Sequence, residues 1–167
     1  MKYLKLYEQF DFDENDPFGE EIEYTEPTFL SWLKKNYPDE NTWSKIKEID
    51  CNNKHLISLE GIENLVNLKE LYCYDNDLTN LEGIENLVNL QLLSCRNNKI
   101  TSLEGIKLKN IMNLKYLNCS INQLTSLEGI EKLVNLKELY CYRNRLTMEY
   151  KNYLRDYCKE RKISLII

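Results

Sequence analysis

Residues 68–89 read LKELYCYDNDLTNLEGIENLVN, and this stretch of 22 residues decides the fold because the chain repeats it. Units of the same pattern begin at Ile46, Leu68, Leu90, Leu114 and Leu136, so their successive starts lie 22, 22, 24 and 22 residues apart. The two additional residues of the third unit lie in KLKNIMN, residues 107–113. A fixed period of this length predicts a solenoid, in which every unit forms one coil and stacks on its neighbours.

The consensus of the units is LxxLxCxxNxLTxLEGIxxLxN, and its first half alternates like a short strand. The unit resembles the leucine-rich repeat, with Cys in the third apolar position of the strand motif LxxLxLxxNxL. Its length and its ending LEGIxxLxN resemble the short subclass found in internalins and in a regulatory subunit of protein phosphatase 1. The resemblance implies an α/β leucine-rich-repeat solenoid with a parallel concave β-sheet. The convex side is too short for a full helix, so we expect extended or 3-10 turns there.

A column of cysteines runs through the units, at Cys51, Cys73, Cys95, Cys119 and Cys141. Each cysteine lies a whole coil from the next, whereas metal ligands converge on one point. Side chains on neighbouring parallel strands also point alongside one another, which suits disulfide geometry poorly. We therefore interpret the column as small buried core residues and expect no metal or cofactor.

Asparagine and glycine recur at the turns of the units. The asparagines are Asn76, Asn98, Asn122 and Asn144, whose amides would satisfy backbone groups left unpaired where the chain bends. The first unit carries Lys54 at this position, which suggests that the N-terminal cap completes its turn. Glycine in LEGI permits a tight turn, at Gly61, Gly83, Gly105 and Gly129.

Both flanks of the repeat region are expected to cover the ends of its core. The chain is therefore divided into an N-terminal cap (1–45), five repeats (46–146) and a C-terminal cap (147–167). In the N-terminal cap, TFLSWLKKNY predicts a capping helix at about 28–37. Thr25 or Thr28 can cap its start, and Pro38 can end it.

The C-terminal cap is predicted to contain a helix and a final strand. Thr147 can cap a helix that runs from about Met148 to Lys162. The apolar segment ISLII follows, and a strand, a helix and another strand favour a right-handed crossover. Residues 163–167 are therefore expected to add one more parallel strand beside the fifth unit.

The acidity of the chain belongs to its N-terminal part, since residues 1–45 carry 11 acids and 5 bases and residues 46–167 carry 16 and 17. Within it, KYLKLY and EIEYTE could pair as a hairpin around the loop from Asp11 to Gly19. This loop begins like a calcium-binding EF-hand, but Asp16 replaces the glycine and Ile22 replaces the final glutamate. We interpret the loop as a solvated acidic turn.

The overall charge and hydropathy exclude several classes of protein. The formal net charge is −5, and a protein that neutralises phosphates needs a broad excess of Lys and Arg, so nucleic acid is not expected as a partner. No stretch has the apolar length of a signal peptide or of a membrane span. We expect a cytoplasmic protein with reduced cysteines and no membrane partner.

Variation among the units concentrates at the third, fifth, seventh, eighth and tenth positions, which the resemblance places on or beside the concave sheet. Tyrosine and arginine, which are enriched at binding hot spots, occur there with two apolar residues, Leu92 and Ile121, which are expected to be exposed. The edge column runs from His55 and Asp77 to Lys99 and Arg145, so the face is expected to be acidic toward the N-terminus and basic toward the C-terminus. The candidate partner-binding residues are Glu70, Tyr72, Tyr74, Leu92, Arg96, Tyr116, Ile121, Tyr140, Tyr142, Arg143 and Arg145.

These features predict a non-catalytic module that binds a protein partner on its concave face. An enzyme is not expected, because the single histidine, His55, has no Ser or Cys placed to be activated by it. Alternatives stay open: the tyrosines and arginines could bind a glycan or single-stranded nucleic acid, or could pair two copies into a homodimer. The variation could also be drift where packing is indifferent.

Overall fold

Six parallel strands of three residues each form the sheet of the computed structural model, which describes residues 28–103 and 107–167. They are β1 (Glu48–Asp50), β2 (Glu70–Tyr72), β3 (Leu92–Ser94), β4 (Tyr116–Asn118), β5 (Glu138–Tyr140) and β6 (Ser164–Ile166). The order in the sheet follows the chain, and β1 to β5 pair in the register of the repeat. The predicted solenoid is confirmed, including the parallel pairing of β6 with β5.

The apolar positions of each unit form one continuous core. The middle residues of β1 to β5 stack on one another and are 0–2% exposed: Ile49, Leu71, Leu93, Leu117 and Leu139. One coil could not bury these side chains alone, so each coil depends on its neighbours for stability.

Short 3-10 turns form the side opposite the sheet, as predicted, at Ile62–Asn64, Ile84–Asn86, Leu108–Ile111 and Ile130–Lys132. Three of them follow a glycine with positive φ, as at Gly83, where φ is 97°. A Cβ atom on Gly83 would lie 2.8 Å from Cγ2 of Ile62. Glycine is therefore required by the backbone angle and by the close stacking of coils. Gly105 lies outside the described residues.

The asparagine column joins consecutive coils, as the sequence predicts. In the case of Asn98, Nδ2 donates to the carbonyl oxygens of Cys73 (3.0 Å) and Cys95 (3.1 Å), and Oδ1 accepts from the N–H of Leu78 at 3.0 Å. Asn76, Asn122 and Asn144 repeat this pattern. Each amide thus satisfies backbone groups of its own coil and of the preceding one.

The expectation for the turn of the first unit was wrong. Asn76 of the second unit completes this turn, because its Oδ1 accepts from the N–H groups of Lys54 and Leu56, both at 3.0 Å. Each asparagine serves the coil before it, so the first coil needs no asparagine of its own.

Helix α1 (Phe29–Asn36) lies before the first coil. Oγ1 of Thr28 accepts from the N–H of Ser31 at 3.2 Å and caps the helix. The helix ends at Asn36, and its C-cap Tyr37 lies just before Pro38. Phe29 and Leu33 are fully buried in the repeat core. A 3-10 segment, Glu40–Lys45, then leads to β1.

Helix α2 (Met148–Arg161) follows the fifth coil and precedes β6. Oγ1 of Thr147 accepts from the N–H of Tyr150 at 3.1 Å, as expected of the predicted N-cap. The helix ends one residue earlier than expected, because Lys162 adopts a left-handed conformation with φ 57°. Leu154 and Cys158 are buried in the same core as the repeats.

The hairpin and the acidic loop considered for residues 1–27 lie outside the described residues. Neither of the two helices in the described ranges has the length and the apolar character that crossing a membrane requires.

Candidate functional site

The side chains that alternate with core residues on the strands form the face of the sheet turned away from the core, which we call the concave face. Strand pairing aligns these side chains in rows across the sheet. One row contains Glu48, Glu70, Leu92, Tyr116, Glu138 and Ser164, and the next contains Asp50, Tyr72, Ser94, Asn118, Tyr140 and Ile166. The candidate residues Glu70, Tyr72, Leu92, Tyr116 and Tyr140 thus lie on one continuous surface.

The remaining candidates lie just beyond the ends of the strands, where the parallel hydrogen bonding continues. The N–H of Asn97 donates to the oxygen of Ser120 at 3.0 Å, and the N–H of Ile121 donates to the oxygen of Tyr142 at 2.9 Å. These bonds place Arg96, Ser120 and Tyr142 in successive positions of one row. Tyr74 occupies the same row one coil earlier, since the N–H of Asp75 donates to the oxygen of Arg96.

Two tyrosines of the concave face are fixed by glutamates of their own strands. Oη of Tyr72 donates to Oε2 of Glu70 at 2.8 Å, and Oη of Tyr140 donates to Oε2 of Glu138 at 3.1 Å. The hydrogen bond to Glu70, followed by burial and by nearby negative charge, raises the pKa of Tyr72 to about 12. Both phenols are therefore neutral donors at physiological pH, and their rings are held in defined positions.

The ring of Tyr140 also packs against the ring of Tyr116, with centroids 5.2 Å apart and an interplanar angle of 38°. Ring pairs at such a distance are favourable in tilted and edge-on geometries. The pair spans β4 and β5, so the C-terminal half of the face presents a preformed aromatic surface. Glu138 belongs to this surface, although the sequence analysis did not include it among the candidates.

Ile121 adopts a left-handed backbone conformation that β-branched residues rarely take. The eighth position of every unit has this conformation, with φ between 52° and 55°, and its occupants are Asn53, Asp75, Asn97, Ile121 and Arg143. Asparagine and aspartate tolerate it, but for L-residues in general it costs roughly 1–2 kcal/mol. Ile121 therefore stores strain on the border of the concave face.

Cationic side chains border the C-terminal half of the face, and we call Arg96, Lys99, Arg143 and Arg145 the basic rim. Arg143 and Arg145 are exposed, and Arg96 is half-buried. Nζ of Lys99 lies 2.6 Å from Oδ1 of Asp77, and this hydrogen bond is the largest cause of the lowered pKa of Asp77.

The predicted change from acidic to basic along the edge column is less sharp in its middle, where an acid and a base pair with each other. Asp77 pairs with Lys99 and lies 3.8 Å from Nδ1 of His55, whose side chain is 85% exposed. Positive charge at the C-terminal end, at Arg143 and Arg145, has no such partner among the described residues.

Two residues expected to be exposed are less accessible than the sequence suggested. Leu92 and Ile121 are half-buried. Ser94 and Ser120, at variable positions of the third and fourth units, are buried. The accessible part of the face therefore consists mainly of tyrosine rings, arginines and carboxylates.

The cysteine column lies in the core. All six cysteines are buried, including Cys158 of α2. Burial raises the pKa of Cys51, Cys95 and Cys141 to about 12, so these thiols are protonated. Within residues 28–103 and 107–167, no group of three His, Cys, Asp or Glu side chains is arranged to hold a metal ion.

Comparison with known proteins agrees with this architecture. The family model for leucine-rich repeats in two copies matches residues 66–110 and 113–150. The chain is a leucine-rich repeat protein. Proteins of this fold are commonly protein–protein interaction modules and are generally non-catalytic. No sequence in the curated set of proteins matches the chain significantly.

Two solved leucine-rich repeat structures illustrate the similarity. A leucine-rich repeat protein from Leptospira interrogans is 31% identical, with a TM-score of 0.58 over 64% of this chain and 27% of that one. An internalin from Listeria monocytogenes is 22% identical, with a TM-score of 0.59 over 67% of this chain and 32% of that one, which shows the fold alone. The chain matches about a third of the internalin and less of the Leptospira protein.

The leucine-rich repeats also present an apolar row that the sequence analysis did not single out. In each of the first four units, the next-to-last residue has an exposed apolar side chain. These residues are Val66, Val88, Met112 and Val134, and they are 45–57% exposed. The residue after each of them is an asparagine: Asn67, Asn89, Asn113 and Asn135. Nδ2 of Asn67 donates to the carbonyl oxygen of Ser44, before the first coil, and Nδ2 of the other three donates to a carbonyl oxygen of the preceding coil, all at 2.8–3.2 Å. The repeated tripeptide LVN, with IMN as its counterpart in the third unit, carried this signal. We call the four apolar residues the apolar stripe.

Proposed function

We propose that this leucine-rich repeat protein is a non-catalytic module that binds a protein partner on its concave face. The observation that carries the proposal is the strained, half-buried isoleucine beside the aligned tyrosines. Asparagine would fit the backbone of Ile121 at lower cost, as it does at Asn53 and Asn97 of other units. Strain that the local fold does not require is a reason to assign a residue to function.

The chemistry of the face supports a protein as the partner. Tyr116 and Tyr140 form a ring pair, and the Tyr72 and Tyr140 hydroxyls are held by carboxylates. Rigid aromatic rings bury large areas at low entropic cost, and arginine supplies directional donors nearby. Tyrosine and arginine are enriched among the residues that contribute most to binding at protein interfaces. Carboxylates at Glu48, Asp50 and Glu138 disfavour a polyanionic partner across the whole face.

The proposal of a non-catalytic role is supported by the state of the reactive groups. His55 is highly exposed and its partner among the described residues is Asp77. The cysteine thiols are buried and protonated, so they are poor nucleophiles. Leucine-rich repeats in general serve as interaction modules.

Affinity capture from a lysate of the source organism tests the proposal. The bait is the wild-type chain, beside a variant with Tyr72, Tyr74, Tyr140 and Tyr142 changed to Ser. The matched control changes Val66, Val88 and Val134 of the apolar stripe to Ser. Circular dichroism melts establish that all three are folded. We expect a protein that the wild type and the control retain and the tyrosine variant loses.

Capture at raised salt and after nuclease treatment separates the other classes of ligand. A protein partner held by aromatic contacts should survive both treatments. Binding that disappears steeply with salt and after nuclease treatment would indicate nucleic acid. Retention of the same protein by the tyrosine variant and its loss by the stripe control would move the site to the apolar stripe.

A further inference from the structure

Exposed lysines form a second row beside the apolar stripe. The second position of the units holds Lys47, Lys69, Gln91, Lys115 and Lys137, and we call the four lysines the lysine column. The backbone aligns this row, because each residue after Lys47 donates its N–H to the carbonyl oxygen of the residue one coil earlier, at 2.7–2.8 Å. All four lysines are exposed. The column therefore runs along the solenoid through all five units.

The apolar stripe runs parallel to the lysine column. Each of its residues is the second residue of a tight turn, as at Val66, where the N–H of Leu68 donates to the oxygen of Leu65 at 2.8 Å. The same bond closes the turns at the other three residues of the stripe, at 2.9–3.1 Å. The second position of the next unit follows three residues later, a distance of at most roughly 10 Å. The two rows therefore border one surface, which we call the lysine edge.

The charge of the lysine column is not neutralised by nearby carboxylates. None of the ion pairs among the described residues includes a lysine of the column. Nζ of Lys115 donates to the neutral Oε1 of Gln91 at 3.0 Å. The glutamates of the next position lie on the concave face, where Glu70 and Glu138 accept from tyrosine hydroxyls of their own strands. The lysine edge therefore presents a row of positive charge beside a row of aliphatic side chains.

The wider edge is also basic. It comprises residues 63–69, 85–91, 109–115 and 131–137, which contain five lysines and three glutamates. Two of these glutamates, Glu63 and Glu85, accept from the N–H groups of Gly61 and Gly83 in their own turns, both at 3.0 Å. An anionic ligand is therefore favoured at this edge.

The composition of the edge favours a lipid surface over a protein. The same four segments contain no aromatic residue and no arginine. Aromatic residues and arginine are enriched at protein interfaces, whereas lysine is depleted there. Aliphatic side chains beside lysines are instead the combination that binds an anionic bilayer, through shallow insertion and attraction to charged headgroups.

We infer that the lysine edge binds the surface of an anionic membrane, with the apolar stripe among the headgroups and the lysine column on their negative charges. A second copy of the chain is disfavoured, because two positively charged edges repel each other. The expectation of no membrane partner came from the length of the apolar stretches, and binding to a bilayer surface needs no spanning stretch. The inference goes beyond the proposed function and leaves the concave face free for a protein.

Sedimentation with lipid vesicles tests the inference on the full chain. The vesicles contain phosphatidylcholine alone or phosphatidylcholine with a phosphatidylserine fraction of about 30%, which supplies a negative surface potential. We expect the wild-type chain to sediment with the anionic vesicles and to stay in solution with the neutral ones. Binding should decrease in about 1 M NaCl, where the Debye length falls to roughly 3 Å.

The charge requirement is tested by the variant Lys69→Gln, Lys115→Gln and Lys137→Gln. Each lysine near an anionic surface contributes roughly a factor of five to binding, so this variant should bind roughly a hundredfold more weakly. The matched control removes the same charge at exposed positions of α2, with Arg155→Gln, Lys159→Gln and Arg161→Gln. The control should bind as the wild type does. Circular dichroism melts show whether each variant is folded.

The apolar requirement is tested at unchanged net charge. Val66→Ser, Val88→Ser and Val134→Ser together should also weaken binding to the anionic vesicles, because the stripe then has less apolar area to insert. Its orientation is tested with an environment-sensitive fluorophore on Val88→Cys, since the six native cysteines are buried and are spared by the label. Its emission should shift to the blue on anionic vesicles, whereas the same label on Asp50→Cys of the concave face should not respond.

Several results would overturn the inference. They are the absence of binding to anionic vesicles, equal binding to neutral ones, and unchanged binding of the lysine variant. A blue shift at position 50 without one at position 88 would move the membrane contact to the concave face and contradict the inference as well. Loss of a captured protein by the tyrosine variant does not depend on vesicle binding, so the proposed function and this inference can fail separately.

Discussion

Asn98 donates its side-chain amide to the carbonyl oxygen of Cys73, 25 residues earlier, at 3.0 Å. The same side chain accepts from the N–H of Leu78 at 3.0 Å, so it joins two coils at the point where the chain bends. Both backbone groups are buried. Loss of the amide would leave them without partners, and an unsatisfied buried group costs more than an average hydrogen bond contributes.

Asn98→Ala is therefore expected to lower the free energy of unfolding by roughly 1–3 kcal/mol. The control is Asn110→Ala, at an exposed position of the 3-10 turn Leu108–Ile111, where the change should stay within about 0.5 kcal/mol. Urea denaturation followed by circular dichroism measures both. Equal losses in the two variants would contradict the bridging role of Asn98.

Glycine substitutions should differ in cost according to the space around them. At Gly83, φ is 97° and a Cβ atom would lie 2.8 Å from Cγ2 of Ile62, whereas at Gly129 the nearest atom is Cδ1 of Leu108 at 3.3 Å. Both alanine variants incur the cost of a left-handed residue, roughly 1–2 kcal/mol, and Gly83→Ala also forces two coils apart. In thermal melts, Gly83→Ala should have a lower melting temperature than Gly129→Ala. The reverse order would show that the close stacking of coils at Gly83 does not determine the cost of the substitution.

Ile121→Asn should stabilise the fold by up to about 1 kcal/mol, because asparagine tolerates the left-handed conformation better than isoleucine does. The control Ile121→Val keeps the branched Cβ and should give no gain. Urea denaturation measures both variants. A stabilised Ile121→Asn chain that loses its partner would show that the strain serves binding, whereas a destabilised one would show that the side chain is retained for packing.

The ion pair of Asp77 and Lys99 should make stability depend on pH at the acidic end. The pKa of Asp77 is lowered in the folded protein from its ordinary 3.8, so the folded state binds protons less readily than the unfolded state. The resulting stabilisation is present above the unfolded pKa and is lost as the pH falls through the folded value. Asp77→Asn should therefore be less stable than wild type at neutral pH, and the difference should disappear at the acidic end.

The control for Asp77 is Glu60→Gln, which changes an exposed carboxylate outside the ion pairs of the described residues. Urea denaturation at a series of pH values measures all three chains. A difference between wild type and Asp77→Asn that persists unchanged at the lowest pH would mean that the asparagine variant is altered for a reason other than titration.

The native thiols should be inert. All six cysteines are buried, and burial raises the pKa of Cys51, Cys95 and Cys141 to about 12, so almost no thiolate exists near neutral pH. A chromogenic disulfide such as Ellman's reagent should react with the folded chain only slowly and with all six thiols in urea. Rapid reaction of any thiol in the native state would contradict the core assignment.

The periodicity of the sequence was sufficient to predict the coils because each structural role recurs with the same residue. Gly83 and Asn98 have counterparts in other units, so a shared cause could be inferred from the repeat. The left-handed conformation at the eighth position of each unit could not be predicted in this way. Asp75, Ile121 and Arg143 share this backbone conformation but have no side-chain chemistry in common. A residue type that recurs in every unit reveals a shared structural role, whereas a backbone angle shared by different residue types leaves no pattern in the sequence.

The expectations from the sequence that the structure corrects depend on contacts between coils. The turn at Lys54 was expected to be completed by the N-terminal cap, but the group that completes it is Asn76 of the next unit. The exposure of Leu92 and Ile121 was overestimated, since both side chains are half-buried. The candidate site could therefore be predicted as a set of positions, but its ring pair, its ion pair and its buried serine depend on contacts between coils that the sequence does not show.

Site-specific photo-cross-linking tests the central claim most directly. p-Benzoylphenylalanine is placed at Tyr142 of the concave face or, as the matched alternative, at Val88 of the apolar stripe, and each chain is irradiated in cells of the source organism. The account predicts a covalent adduct with a second protein from position 142 and none from position 88. An adduct from position 88 with none from position 142 would contradict it.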